Sequence, residues 1–228
     1  MKTSVILPAR NEEKLIKEVV LDVYKYLKKK KYSFEILVIV NGTSDNTENI
    51  VNSLSKKYKE IKCLESAPGY GYALRKGLEA AKGKYVVIYN VDFYDLKLVD
   101  LIDIDMYGKD FIIGSKRAHW SNDNRPLSRR LISYIFNLYL NIVHGFKGSD
   151  THGIKLIKRD VINKIFNKCE TQSGIFDTEL VIRAQKNNYK LADFPVTVVE
   201  KRPPRFSQRI LQTPIDIYNL SKSLWKIK

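Results

Sequence analysis

Asn90-Val91-Asp92 closes an apolar run, Tyr85–Tyr89, and Asp95 follows shortly after. Carboxylates at the end of a strand can hold a divalent cation, and a cation held there screens the charge of a diphosphate. The plainer alternative makes these acids solvated loop residues or helix caps. Two more polar segments succeed apolar runs in the same manner. One is Pro8-Ala9-Arg10-Asn11-Glu12 after Ser4–Leu7, and the other is Asn41-Gly42-Thr43-Ser44-Asp45 after Phe34–Val40. His119, His144 and His152 lack metal-ligand spacing and are expected at surface or loop positions. Cys63 and Cys169 supply neither a zinc knuckle nor a disulfide framework, as in a reducing compartment.

The elements that must bring these segments together alternate in type. Ser4–Pro8 is a short strand, followed by a helical pattern over Leu15–Leu27. Phe34–Val40 is apolar throughout, as in a strand covered on both sheet faces. Thr47 or Asp45 can cap a helix carrying Ile50, Val51 and Leu54, and Ile61–Leu64 is a third strand. Gly69-Tyr70-Gly71 leads into a helix with Ala73, Leu74 and Leu78, before the strand at Tyr85–Tyr89. This succession predicts a mainly parallel α/β sheet, whose ligand crevice lies at the carboxyl ends of the strands. Pro8–Glu12, Val40–Asp45 and Asn90–Asp95 would then surround one crevice.

The second half is less regular. Asp110–Gly114 and Gly153–Ile157 read as strands, Phe176–Asn187 as a helix and Val196–Val199 as an edge strand. A long helix over Pro126–Val143 puts Leu127, Leu131, Ile135, Leu138 and Ile142 on one stripe, with Ser133, Asn137 and Asn141 on another face. Core packing is one use of that stripe. Contact with a membrane interface is the other and the favoured one, because Arg129, Arg130 and Lys147 flank it. The segment from Arg209 is basic and amphipathic, broken by Pro214.

The chain has 228 residues, 44% of them hydrophobic, enough to fill one large core and to exclude a disordered chain. With 40 basic against 25 acidic side chains, the charge of +15 calls for an anionic partner. Lysines are scattered and no nucleic-acid motif accompanies them, so no nucleic acid is expected. The longest uncharged stretch, Leu131–Phe146, is interrupted by Ser133, Asn137, Asn141, His144 and Gly145, whereas a spanning helix needs about 20 mostly apolar residues. No transmembrane segment is expected.

Four segments taken in order narrow the reading. SVILPARNEE from Ser4, EILVIVNGTSDNT from Glu35, GYGYALRKGLEAAKG from Gly69 and KYVVIYNVD from Lys84 resemble the nucleotide-sugar domain of family-2 glycosyltransferases, the GT-A (Rossmann-like) fold. Gly114-Ser115-Lys116-Arg117, Arg125 and the helix from Arg129, Asp150-Thr151-His152-Gly153-Ile154-Lys155, Phe176–Glu179, YKLADFPV from Tyr189, and Arg202 with Ser207 resemble dolichol-phosphate mannosyltransferases and their polyprenyl-phosphate relatives. The likeness spans roughly Ser4 to Ser207.

That resemblance implies one GT-A domain over 1–208, with a donor half about 1–115 and an acceptor half about 116–208, then a basic amphipathic tail over 209–228. It implies amphipathic interfacial helices in the second half and a peripheral position on the cytoplasmic membrane face. Donor contacts fall on Pro8, Arg10, Asn11, Glu12, Val40, Asn41, Asn90, Val91 and Asp92, and Mg2+ or Mn2+ on Asp92 and Asn90. The implied reaction is inverting transfer of mannose or glucose, from GDP-mannose or UDP-glucose, to polyprenyl or dolichyl phosphate. Asp92, Lys116, Arg117 and Arg202 are its catalytic candidates, and Arg117, Arg125, Arg129, Arg202 and Ser207 grip the acceptor phosphate. An ionised phosphate acceptor needs no strong base. A sugar or glycolipid hydroxyl would need a carboxylate, for which Asp150, Asp177 and Glu179 are the candidates.

The chain departs from the pattern in four places. Val40 and Asn41 replace the Asp of the second segment, Asn90 replaces the first Asp of Asp-x-Asp, and Tyr94 stands where Gln is common. Arg205-Phe206-Ser207-Gln208 lacks the usual Lys. These changes keep open a third possibility, a non-catalytic GT-A protein that binds nucleotide or lipid.

Overall fold

The computed structural model describes residues 2–198 and 206–225, the side chains of 206–213 excepted. Val199–Arg205, and with them Arg202, lie outside the described residues, and for Ser207 only the backbone is described. The apolar runs become strands β1 (Thr3–Ala9), β2 (Phe34–Val40), β3 (Ile61–Glu65) and β4 (Tyr85–Ile88), which lie parallel in the order β3-β2-β1-β4. Every residue of β1 and β2 is buried. The cause is cover on both faces. Helices α1 (Ile16–Lys29) and α2 (Thr47–Lys57) pack with Val5 and Leu7, while α3 (Tyr70–Ala80) packs with Ile6 on the opposite face. Alternate residues of one strand thus feed two separate cores.

After the short α4 (Lys97–Asp100) come β5 (Phe111–Ser115), β6 (Asn122–Asp123), α5 (Leu127–His144), β7 (Lys155–Lys158), α6 (Arg159–Ile165), α7 (Phe176–Lys186), β8 (Leu191–Pro195), β9 (Thr197–Val198) and α8 (Phe206–Trp225). Strand β7 runs antiparallel between β4 and β5, and β8 completes a seven-stranded, mostly parallel sheet. The edge strand expected at Val196–Val199 is displaced. Leu191–Pro195 takes the sheet edge, where Pro195 is tolerated because its outer side needs no ladder hydrogen bond. Thr197–Val198 pairs instead with Asn122–Asp123 in a separate two-stranded sheet.

Helix α5 is turned inside out relative to a core helix. Its apolar stripe faces solvent, with Leu127 77%, Leu131 56%, Ile135 57% and Ile142 72% exposed. Its polar face is the one that docks: Asn141 Nδ2 donates to the Phe146 carbonyl at 2.9 Å and Asn137 Nδ2 to that of Gly148 at 3.3 Å. Core packing of the stripe is therefore excluded. His144, expected at the surface, is buried in the last turn of α5 beside Tyr139 and Ser221.

The break expected at Pro214 does not occur, and α8 continues through it. A proline inside a helix costs about 3 kcal/mol or more through its missing N–H and its clash with the preceding turn. Tertiary contacts offset that cost here. Leu220 and Leu224 are fully buried, and the Arg183 guanidinium donates to Ser223 Oγ at 2.7 Å.

Candidate active site

The loops after β1 and β2 are laced together at the carboxyl ends of those strands. Asn41 Nδ2 donates to the Ala9 carbonyl at 3.0 Å, and Asn11 Oδ1 accepts from the Ser44 amide at 2.8 Å and lies 2.9 Å from Thr43 Oγ1. The Glu12 amide donates to Thr47 Oγ1 at 2.7 Å, and the Glu13 amide to Asp45 Oδ2 at 3.1 Å. Burial opposes ionisation of Asp45, but hydrogen bonds from Thr47, Thr43 and two backbone amides outweigh it and pull its carboxyl down to about 2. Gly42 holds φ +71 in this turn, and a Cβ there would lie 2.8 Å from the Pro68 ring. Glycine is needed for both reasons. Of the expected donor contacts, Arg10 and Asn11 are exposed at this edge, while Glu12, Val40 and Asn41 are buried within it.

At the end of β4, Asn90 and Phe93 exchange backbone hydrogen bonds at 3.1 Å in a tight turn. Val91 turns into the core and Asp92 remains partly exposed. Tyr94, in the usual glutamine position, is bound at 2.9 Å to Asp22 of α1. The Asn90 side chain meets a residue that sequence reasoning missed. Tyr70 Oη, at the start of α3, lies 3.2 Å from Asn90 Oδ1 and 3.4 Å from Asp177 Oδ2. Asp177 is buried and ion-paired at 2.8 Å with Lys155, itself fully buried on β7. Among the described residues its Oδ1 has no hydrogen-bond partner. In the sequence Lys155 stands inside a strand-like apolar run and closes the Asp150–Lys155 motif segment, and Tyr70 stands between two glycines at the head of the third motif segment; neither position signals a meeting with Asn90 or Asp177.

The Gly114–Arg117 and Asp150–Lys155 segments are fastened to each other. The Gly114 amide donates to the Ile154 carbonyl at 2.7 Å, and a Cβ on Gly153 would sit 2.0 Å from the Gly114 carbonyl oxygen, a space only glycine leaves. Lys116 pairs with Asp150 at 2.9 Å and donates to the His152 carbonyl. Burial would raise the Asp150 carboxyl, but the charge and hydrogen bond of Lys116 and the His152 amide hold it below the usual range. Crowding by protein atoms lowers the His152 imidazole, against the pull of Asp177 and Asp150. Arg117 lies 4.9 Å over the Tyr134 ring and donates to the Ser133 carbonyl at 3.3 Å. Arg125 forms a two-pronged pair with Asp123 at 2.8 and 2.7 Å and reaches Ser133 Oγ at 3.4 Å. Arg117 and Arg125 thus converge on Ser133, in the second turn of α5.

Glu179 stands apart from this cluster. It is fully buried and accepts hydrogen bonds from the Glu170 and Thr171 amides, Thr171 Oγ1, Arg183 Nε and Ser223 Oγ. Burial is opposed by those bonds, Ser223 and Thr171 foremost, so its carboxyl lies below the usual range. It ties α7 to α8 and has no oxygen to spare for a proton in transfer.

The Glycosyl transferase family 2 model matches residues 4–166. The chain belongs to that family. This family-2 transferase is 29% identical to a dolichyl-phosphate beta-glucosyltransferase of Dictyostelium discoideum, over 99% of this chain and 76% of the relative. It is 27% identical to a dolichyl-phosphate beta-glucosyltransferase of Trichomonas vaginalis, over 99% of this chain and 74% of the relative. Among solved structures it superposes on Mycobacterium tuberculosis glucosyl-3-phosphoglycerate synthase with UDP, TM-score 0.72 and 18% identity, over 98% of this chain and 80% of that one. The same synthase with Mn2+, UDP and phosphoglyceric acid gives TM-score 0.73 at 17% identity, over 98% of this chain and 78% of that one. The fold of this transferase is GT-A.

Those relatives raise the question of a cation, and the donor set here answers it only in part. Among the described residues no three His, Cys, Asp or Glu side chains converge as metal ligands. Asp92 offers a carboxylate, but the oxygen of Asn90 faces the Tyr70 hydroxyl. The residues present do not form a ready-made divalent cage.

Proposed function

We propose that this chain transfers glucose from UDP-glucose to a polyprenyl phosphate, dolichyl phosphate or a close analogue, with inversion at the anomeric carbon. The observation that carries the reading is the junction at Ser133, where Arg117 and Arg125 gather beside a helix whose apolar face is open to solvent. A phosphate on a long hydrocarbon needs both, side by side. The named beta-glucosyltransferase relatives favour glucose over mannose and dolichyl phosphate as acceptor. The superposed synthase was solved with UDP, which favours a uridine donor.

In this reading residues 1–115 hold the donor, about 116–208 hold the acceptor, and 209–228 add the basic tail. The acceptor phosphate is already ionised near neutral pH, so the reaction needs positioning more than a base. Arg117, Arg125 and Arg129, with Arg202 and Ser207 by resemblance, hold its oxygens through charge-assisted bonds. The glucose–diphosphate bond breaks as the acceptor oxygen attacks from the opposite face, and negative charge builds on the departing UDP. Lys116 and Arg117 lower the energy of that charge, most effectively in a partly dry site. Asp92 marks the diphosphate end of the crevice, where Mg2+ or Mn2+ would accompany the nucleotide. The exposed stripe of α5, with Ile215, Tyr218 and Trp225 of α8, rests on an anionic membrane surface while the charge of +15 attracts it.

The test is direct. Purified protein is incubated with labelled UDP-glucose or GDP-mannose, Mg2+, and either dolichyl phosphate or a simple glycolipid bearing a free hydroxyl. Label entering dolichyl phosphate from UDP-glucose alone is the expected result. Label from GDP-mannose, or transfer only to the hydroxyl, overturns the donor or acceptor assignment, and no transfer from folded protein overturns the enzyme itself.

A further inference from the structure

We propose that Asp193, on the edge strand β8, is a positioning residue for the acceptor phosphate, holding Arg117 in place through Ser149 and Ser115. This rests on the reading above and extends it to a residue that itself touches no substrate. Three segments far apart in sequence meet in a line of hydrogen bonds. The Ser149 hydroxyl and amide both lie against Asp193 Oδ2, at 2.5 and 3.1 Å. Ser149 Oγ is 2.6 Å from Ser115 Oγ, and Ser115 Oγ accepts from the Arg117 amide at 3.0 Å. Proton counting gives the line one direction. A carboxylate has no proton to give, so the single hydroxyl proton of Ser149 points at Asp193. Ser149 Oγ is then an acceptor toward Ser115, whose own proton points at Ser149. That leaves the lone pairs of Ser115 Oγ for the Arg117 amide. Ser115 is fully buried, whereas Asp193 is exposed at the outer end.

The same end of β8 holds the Ser115 carbonyl as well. The Val196 amide donates to Ser121 Oγ at 3.2 Å, and Ser121 Oγ donates to the Ser115 carbonyl at 2.6 Å. The backbone from which Arg117 springs is thus fixed on two sides. Its guanidinium then reaches the Ser133 carbonyl and the Tyr134 ring. A long side chain loses rotamer freedom when it grips a ligand, and a fixed root reduces what is left to lose. Charge makes the role diagnosable. Asp193 and the acceptor phosphate are both anions, so Coulomb repulsion alone makes the carboxylate weaken acceptor binding. Hydrogen bonding through Ser149 and Ser115 makes it strengthen that binding. Removing the carboxylate therefore has opposite signs under the two effects.

The experiment measures transfer of labelled glucose from UDP-glucose to dolichyl phosphate in detergent micelles, varying each substrate in turn. Asp193→Ala should raise the acceptor KM about tenfold and leave the donor KM within about twofold, in protein that still melts cooperatively. Asp193→Asn keeps an oxygen for Ser149 without the charge and should restore most of the acceptor affinity. Ser115→Ala should raise the acceptor KM likewise, and adding Asp193→Ala to it should change little, since both cut the same line. An acceptor KM that falls or stays constant in Asp193→Ala would overturn the proposal. Equal losses for both substrates, or additive losses in the double variant, would do the same. Hydrogen exchange of the amides of residues 115–117, followed by mass spectrometry, reads the line without turnover and should quicken in Asp193→Ala. Wild type that transfers nothing to dolichyl phosphate overturns the functional reading and the acceptor role together. Unchanged exchange in Asp193→Ala overturns the role of Asp193 alone.

Discussion

Asp45 illustrates how a single side chain sets the loops at one edge of the sheet. Short and polar, it accepts from Thr43 Oγ1 at 2.7 Å, from Thr47 Oγ1 at 2.5 Å and from the Thr47 and Glu13 amides at 3.0 and 3.1 Å. One carboxylate therefore fixes the loops after β1 and β2 at once, and the position of Asn11 follows from it. Its carboxyl lies at about 2 in the folded chain against an ordinary 3.8. The unfolded chain thus binds the proton first, and the stability contributed by Asp45 is complete above the ordinary value and lost as pH falls toward 2. Wild type should melt above Asp45→Asn at pH 6, and the gap should close in scans taken progressively below pH ~4. A constant gap across that range would show that the charge is not what matters.

At the scale of elements, α7 and α8 are coupled by a buried network rather than by apolar contact alone. Glu179 is saturated, and Arg183 bridges it at 2.8 Å to the α8 residue Ser223 at 2.7 Å. Removing one partner of such a pair leaves the other charge buried without compensation, which costs about 3–5 kcal/mol. Glu179→Ala should lower the urea midpoint by the equivalent of that loss, yet the folded fraction should retain its turnover. A variant that keeps full stability but loses turnover would return Glu179 to the crevice as a base. The same network explains the uninterrupted α8, since anchors at Leu220, Ser223 and Leu224 offset the defect at Pro214.

For the molecule as a whole, the question is where the apolar surface goes. Soluble proteins rarely leave a contiguous apolar patch of this extent without a partner. Leu131 and Ile135 point away from the protein, so their replacement removes no core contact. The double variant Leu131→Ser, Ile135→Ser should keep the wild-type melting temperature but lose at least about tenfold in binding to vesicles of anionic phospholipid, with a matching loss of transfer to vesicle-borne acceptor. Unchanged sedimentation with vesicles would overturn the membrane role of α5. Among the described residues no helix is long and apolar enough to cross a membrane.

Much of this was determined along the chain itself. Alternating apolar runs and helical periods specify the sheet from β1 to β4, because a strand buried on both faces can only be continuously apolar. The order of four motifs specifies the family. Periodicity also grouped Leu127, Leu131, Ile135, Leu138 and Ile142 on one face of α5. It does not state which way a face looks. That depended on Asn137 and Asn141 finding carbonyls beneath them, which closed the polar side onto the protein and left the apolar side out. Asp177 and Glu179 had equal standing as first-turn acids, two residues apart; packing paired one with Lys155 beside Asn90 and locked the other to α8. Tyr70 meets Asp177 across 107 positions of sequence. No local pattern encodes such a meeting, because it exists only once α3 and α7 are packed together over the sheet that β7 enters.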